Sequence, residues 1–184
     1  LRDRIDDILE QWTRERPDVD VSQLAIYGRI VRLARFLERE EEGLVAAFGV
    51  SATEYRILCA LRRSGDPYAL TPSQLTENLM MSSGGMTKRL DHLERNGLVE
   101  RRPNPADRRG ALIALLPAGT ELVDRLIEVE SANERRVLIV EPGEREQFAD
   151  ALRRCLVVFE ASVSEAARLA EPVEATERPI PDAL

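Results

Sequence analysis

A single histidine and two cysteines leave this chain poor in the side chains most enzymes rely on. No Cys/His spacing suits a metal, no glycine-rich loop suits a phosphate, and no Ser-His-Asp set is visible, so neither an enzyme nor a bound cofactor or metal is expected. Long apolar runs are missing as well. Charge-free stretches such as 67–76 reach only about ten residues and are broken by Pro, Ser and Thr, whereas a membrane-spanning helix needs roughly 20 apolar residues. No signal-peptide pattern opens the chain, so a cytoplasmic protein without membrane contact is expected. Aromatics make up only 4% of the residues, and Ala, Leu, Glu and Arg dominate, a composition that favours helix. Cys59 and Cys155 fall in apolar helical patterns and read as buried, reduced thiols rather than a disulfide.

What is present is enough for a real core: 184 residues, 43% hydrophobic and 32% charged, one generous domain or a domain with extensions. The formal net charge of −7 taken alone argues against nucleic acid, but net charge says little about local charge. Residues 82–110 carry seven positive and four negative side chains, a window of +3 that leaves −10 for the rest.

Helical periodicity and caps organise the chain. Ile5, Ile8, Leu9 and Trp12 mark an amphipathic helix ended by Pro17, and a long helix follows from about Val21 to Phe48. "SATE" and "TPSQ" supply capping boxes, Ser51 with Glu54 and Thr71 with Gln74, around the turn "SGDPY". Ser82 or Ser83 caps a further helix that Gly97 stops. "LVERR" and "ALIALL" read as two short strands joined by "PNPADRRG". Helices from Pro117 to about Val140 and from about Pro142 complete the order, before a tail rich in Pro and acid.

A short helix, a second helix and a hairpin in direct succession form a winged helix-turn-helix pattern over 71–116. In the second helix, Met86, Leu90 and Leu93 share one apolar face. The other face offers Gly84, Lys88, Asp91 and Arg95, flanked by Thr87 and His92, and would fit a major groove. Alone, that pattern better fits an ordinary amphipathic surface helix. The hairpin shifts the balance, because a turn built only to reverse the chain needs Gly, Asn or Pro rather than Arg108 and Arg109. Guanidinium groups there would reach a neighbouring minor groove, and Asp107 would steady the tip. The other reading is a winged-helix protein-interaction module that meets an acidic partner. The stripes of the long helices exceed what a winged helix core could cover, which points to a homodimer.

The segment "LTPSQLTENLMMSSGGMTKRLDHLERNGLVERRPNPADRRGALIALLPAG" resembles the MarR family of transcriptional regulators, with its "GLVERR" passage into the wing, its Asp107-x-Arg109 signature and its "L-x-P-x-G" start to the next helix. Leu116 stands where that family usually has a threonine N-cap. The resemblance implies a mostly α fold with a small β-hairpin wing and a helical dimerisation region. Its parts are an extension helix (1–18), a first dimerisation helix (19–50), the winged helix-turn-helix (51–116), C-terminal dimerisation helices (117–168) and a disordered acidic tail (169–184). It further implies a ligand-responsive regulator, a repressor in most members, bound as a homodimer to a pseudopalindromic double-stranded operator. The DNA-contacting set is then Ser82, Ser83, Gly84, Thr87, Lys88, Asp91, Arg95, Arg108 and Arg109, with Asp107 supporting the wing.

"QWTRERPDVD" (11–20) is similar to the extra helix of the family's urate-responsive branch. The anion site of that branch falls by alignment on Trp12, Arg89 and Arg101, while its acidic position falls on Arg56. A more cationic pocket for a small anionic aromatic effector is one expectation; the other, of equal weight, has Trp12 packing the extra helix onto the dimer and the arginines pairing with Glu or Asp.

Overall fold

The computed structural model describes residues 1–170, apart from the side chains of Ser83, Arg108, Arg109, Val137 and residues 163–170. The expected tail lies, from residue 171 onward, outside the described residues. The chain divides into two compact units, Leu1–Glu134 and Arg135–Leu184.

The first unit opens with α1 (Arg4–Glu15), where Asp3 accepts from the Ile5 and Asp6 amides while the Asp6 carboxylate accepts from the Asp3 amide. This reciprocal arrangement satisfies amides that the helix itself leaves open. α2 (Leu24–Ala46) returns alongside it. Ile5 is buried against Gly28, and Arg29 reaches both Asp3 and Asp6, so apolar contact and charge hold the pair together.

Both capping boxes read from the sequence are made: Ser51 and Glu54 start α3 (Ala52–Arg63), and Thr71 and Gln74 start α4 (Pro72–Asn78). Between them is an element the sequence did not announce, the two-residue strand β1 (Ala69–Leu70). α5 (Ser83–Arg95) leads into β2 (Val99–Asn104) and β3 (Asp107–Leu115), both longer than the pattern suggested. The sheet is antiparallel in the order β1-β3-β2, with Val99 opposite Leu115, Arg101 opposite Ile113 and Leu70 also opposite Ile113. β1 exists only because β3 offers it an edge.

Tyr55, Ile57, Leu58 and Leu61 of α3 form the centre of the core. Leu75, Met86, Leu90 and Leu93 close over them from the helix-turn-helix, with Val99, Ile113 and Leu115 from the sheet and Val123 and Leu126 from α6 (Pro117–Val137). α6 docks closely at its start. A Cβ built on Gly119 would stand 2.2 Å from the Leu98 carbonyl oxygen, so only glycine fits there. The same carbonyl accepts from the Leu116 amide at 3.0 Å, and the Leu116 carbonyl accepts from the Thr120 amide at 2.9 Å. Leu116 thus joins the helix start through its backbone.

In the second unit α7 (Arg145–Ala170) carries Phe148, Leu152, Leu156 and Phe159 along one exposed stripe. Its Cys155 is a free, exposed thiol, which corrects the expectation of two buried cysteines; Cys59 is free and partly buried. Among the described residues no helix is long and apolar enough to cross a membrane, and no cluster of His, Cys, Asp and Glu is suited to a metal ion.

Candidate nucleic-acid interface

α5 has two unlike faces because its apolar residues recur one turn apart. Met86, Leu90 and Leu93 are buried, while Gly84, Thr87, Lys88, Asp91 and Arg95 are exposed on the other side. The helix begins at Ser82 in extended backbone, and that serine makes no side-chain capping bond. The first-turn amides therefore keep their capacity to meet an anion. Arg95 Nε bonds back to the Asp91 carbonyl at 3.2 Å, and Lys88 makes no ion pair among the described residues.

The wing is fastened to this helix by charge. Arg101 of β2 pairs with Asp91 and Glu94 of α5, and the hydrogen bond to Asp91 leads in raising its guanidinium pKa further above the usual range. Arg102 pairs with Glu100 on its own strand. At the tip, Asn104 and Asp107 are cross-strand partners, and Asn104 Oδ1 accepts from the Ala106 amide at 3.0 Å. Asp107 folds back over Gly110, where an added Cβ would lie 3.0 Å from Asp107 Oδ2. The side chains of Arg108, Arg109 and Ser83 lie outside the described residues.

On its inner flank α5 meets a buried carboxylate that the sequence offered only as a cap. Glu54 is 3% exposed. Its Oε2 accepts from the Ser51 amide and hydroxyl, both at 2.9 Å, and its Oε1 lies 2.8 Å from His92 Nδ1 and 3.9 Å from Arg89 Nη1. Burial pushes the Glu54 carboxyl up, but the Ser51 hydrogen bonds and His92 outweigh it and bring the group below its ordinary range. Arg89 also donates to Ser51 Oγ at 3.1 Å. One acid thus caps α3 and braces α5. His92, read from sequence as a flank of the outer face, belongs to this brace.

A second feature is a cavity of about 480 Å³ between α2, α3 and α6, bordered by Tyr55, Arg56, Cys59, Arg63, Ile127 and Glu130 among others. The Tyr55 hydroxyl donates to Glu130 Oε2 at 2.6 Å, and burial is the main reason its pKa is raised. Burial likewise pushes the Cys59 thiol up to about 11, so it is no ready nucleophile. Arg56 is held by Glu41 and Arg62 by Asp124, whereas Arg63 makes no ion pair among the described residues. Cys59 reads in the sequence only as a buried thiol, and Tyr55 and Arg63 look there like ordinary helix positions.

The four residues expected to share an effector site are not brought together. Arg56 borders the cavity, Arg89 is on Ser51 and Glu54, Arg101 is on Asp91 and Glu94, and Trp12 is exposed on α1. Arg56, Arg89 and Arg101 have each found a nearer acceptor.

Comparison with known proteins agrees with this architecture. The MarR family model matches residues 48–110. The HTH-type transcriptional regulator PecS of Dickeya dadantii is 39% identical over 134 residues, covering 73% of this chain and 81% of PecS. Sco5413, a MarR family transcriptional regulator from Streptomyces coelicolor, is 26% identical with a TM-score of 0.67, over 77% of this chain and 97% of that one. A mutant of MarR from Escherichia coli, complexed with operator DNA, shares the fold with a TM-score of 0.59 at 24% identity, over 75% of this chain and 99% of that one.

Proposed function

The chain belongs to the MarR family of transcriptional regulators, and from that premise we propose that it is a homodimeric repressor that reads a pseudopalindromic operator with α5 and its wing. The observation that carries this is the exposed polar face of α5, opposite a fully buried one and directly followed by the hairpin. Gly84 and Thr87 meet base edges, Lys88 and Arg95 meet phosphate, Arg108 and Arg109 reach the minor groove, and Asp107 holds the tip. Asp91 is bonded to Arg101 and sets the angle between helix and wing. MarR from Escherichia coli, which shares this fold, is complexed with operator DNA.

The dimer is supported by apolar side chains left uncovered in one copy: Ile26, Ile30 and Leu33 on α2, and the stripe of α7. Faces of this kind are seldom left to water. A two-fold pairing would set the recognition helices about one DNA turn apart, roughly 34 Å.

The effector site in this reading is the α2/α3/α6 cavity, with Arg63 as the cation that receives a small aromatic anion and Tyr55 bordering the ring. Footprinting on the flanking intergenic DNA, with and without aromatic carboxylates and urate, tests operator and effector together. Protection released by one of these acids, and no longer released in Arg63→Ala, supports the proposal. Absence of any protected site removes it, and protection that no acid alters removes the effector part alone.

A further inference from the structure

Three methionines lie close to the helix-turn-helix, and two are explained by packing. Met86 is buried in the core and Met81 packs against it. Met80 is 85% exposed, the one large apolar side chain fully out in solvent among the described residues of 51–126. Its backbone is also unusual, with φ at +50° in the left-handed region. That region crowds any side chain and suits Gly or Asn.

Elsewhere the chain meets the same demand with glycine, at Gly49, Gly65 and Gly97. Among the described residues, the other one with positive φ that is not glycine is Tyr68. Tyr68 has a reason within the fold, because it packs against the core and its ring lies 5.0 Å under the Arg62 guanidinium. Met80 has no such packing. Both of its costs, exposure and backbone strain, fall on the free protein, and neither contributes to folding.

Its location supplies the missing reason. Met80 is in the turn between α4 and α5, two residues before Ser82, the N-cap of the helix that carries Gly84, Thr87 and Lys88. DNA presents apolar atoms to such a position, as thymine methyl groups in the major groove and as deoxyribose along the strand. Methionine is unbranched and polarizable, so it conforms to either without needing one fixed rotamer. We infer that Met80 is an operator-contacting residue, which packs its thioether on apolar atoms of the DNA at the mouth of the recognition helix. The inference rests on the operator-binding reading and adds to it a residue whose contact is apolar rather than ionic.

The test uses the full chain and a labelled duplex carrying the footprinted site, with Met80→Gly and Met80→Asn, both compatible with the left-handed turn. Thermal midpoints should hold or rise, because strain is relieved, while operator affinity falls about tenfold from lost apolar contact. Because the lost contact is apolar, the slope of affinity against salt should stay unchanged. Replacing operator thymines one at a time by deoxyuracil assigns the source. A position where the change weakens the native chain but not Met80→Gly identifies a thymine methyl, and no such position identifies deoxyribose. Affinity within twofold of native in both variants overturns the inference, as does a loss that comes with lower thermal midpoints in both. If the native chain itself fails to bind the duplex, the operator reading has failed, an outcome distinct from failure of Met80 alone.

Discussion

The winged helix-turn-helix and the helices flanking it solve the same problem to different degrees. Between residues 51 and 126, α3, α4, α5, the sheet and the start of α6 bury one another's apolar faces, and even the charged Glu54 is enclosed and satisfied. α2 and α7 are as apolar in sequence, yet Ile26, Ile30, Leu33, Phe148, Leu156 and Phe159 are exposed. The first region is complete within one chain. The second is complete only when something covers it, and periodicity alone does not distinguish the two cases. Burial does: the winged helix-turn-helix closes its own core, whereas the stripes of α2 and α7 keep apolar side chains uncovered.

Perturbations should therefore separate by region. The largest effect is expected inside the head, where Leu90→Ala removes a buried side chain shared by α5 and α3 and should lower unfolding free energy by ~2–5 kcal/mol in denaturant titrations. Leu33→Asp addresses the flanking region. A charge on the exposed stripe of α2 should leave the far-ultraviolet circular dichroism intact and weaken self-association by about 3 kcal/mol, since a two-fold interface loses the leucine twice. Sedimentation that shows an unchanged dimer would place the interface elsewhere.

Smaller effects sharpen the division between fold and function. Arg109→Ala should weaken operator binding by about 1–3 kcal/mol with an unshifted thermal midpoint. Smallest is Glu54→Gln, expected to cost about 1 kcal/mol at neutral pH. Because the folded pKa of Glu54 is lowered, the stability it contributes is present above the ordinary glutamate range and is lost as the pH falls through the folded value. The glutamine variant should accordingly show a flatter acid limb than the native chain. An identical limb in both would mean that Glu54 does not titrate as a braced carboxylate.

Local features were legible in the sequence, and distant pairings were not. The boxes at Ser51/Glu54 and Thr71/Gln74 and the apolar stripe of α5 are settled within four to seven residues, and the structure has them where the pattern put them. β1 was hidden because a two-residue strand has no pattern of its own and depends on β3. The expected effector set scattered for a related reason. An arginine side chain is long, so its partner is decided by which acid the fold brings near: Glu41 for Arg56, Asp91 and Glu94 for Arg101. Glu54 was legible as a cap but not as a brace, since its contact with His92 spans 38 positions of chain. Met80 was not legible because, beside Met81 between two helices, it looks like core until the turn leaves it outside.

The central claim, that one basic face of an acidic protein reads DNA, is tested most directly by titrating the footprinted operator with the native chain across a salt series. Two chains should bind per duplex, and log affinity should fall linearly with log salt, each phosphate contact contributing about −0.9 to the slope. Lys88→Ala should make that slope shallower by about one contact per subunit. Binding that is absent, or that salt does not weaken, would contradict the account.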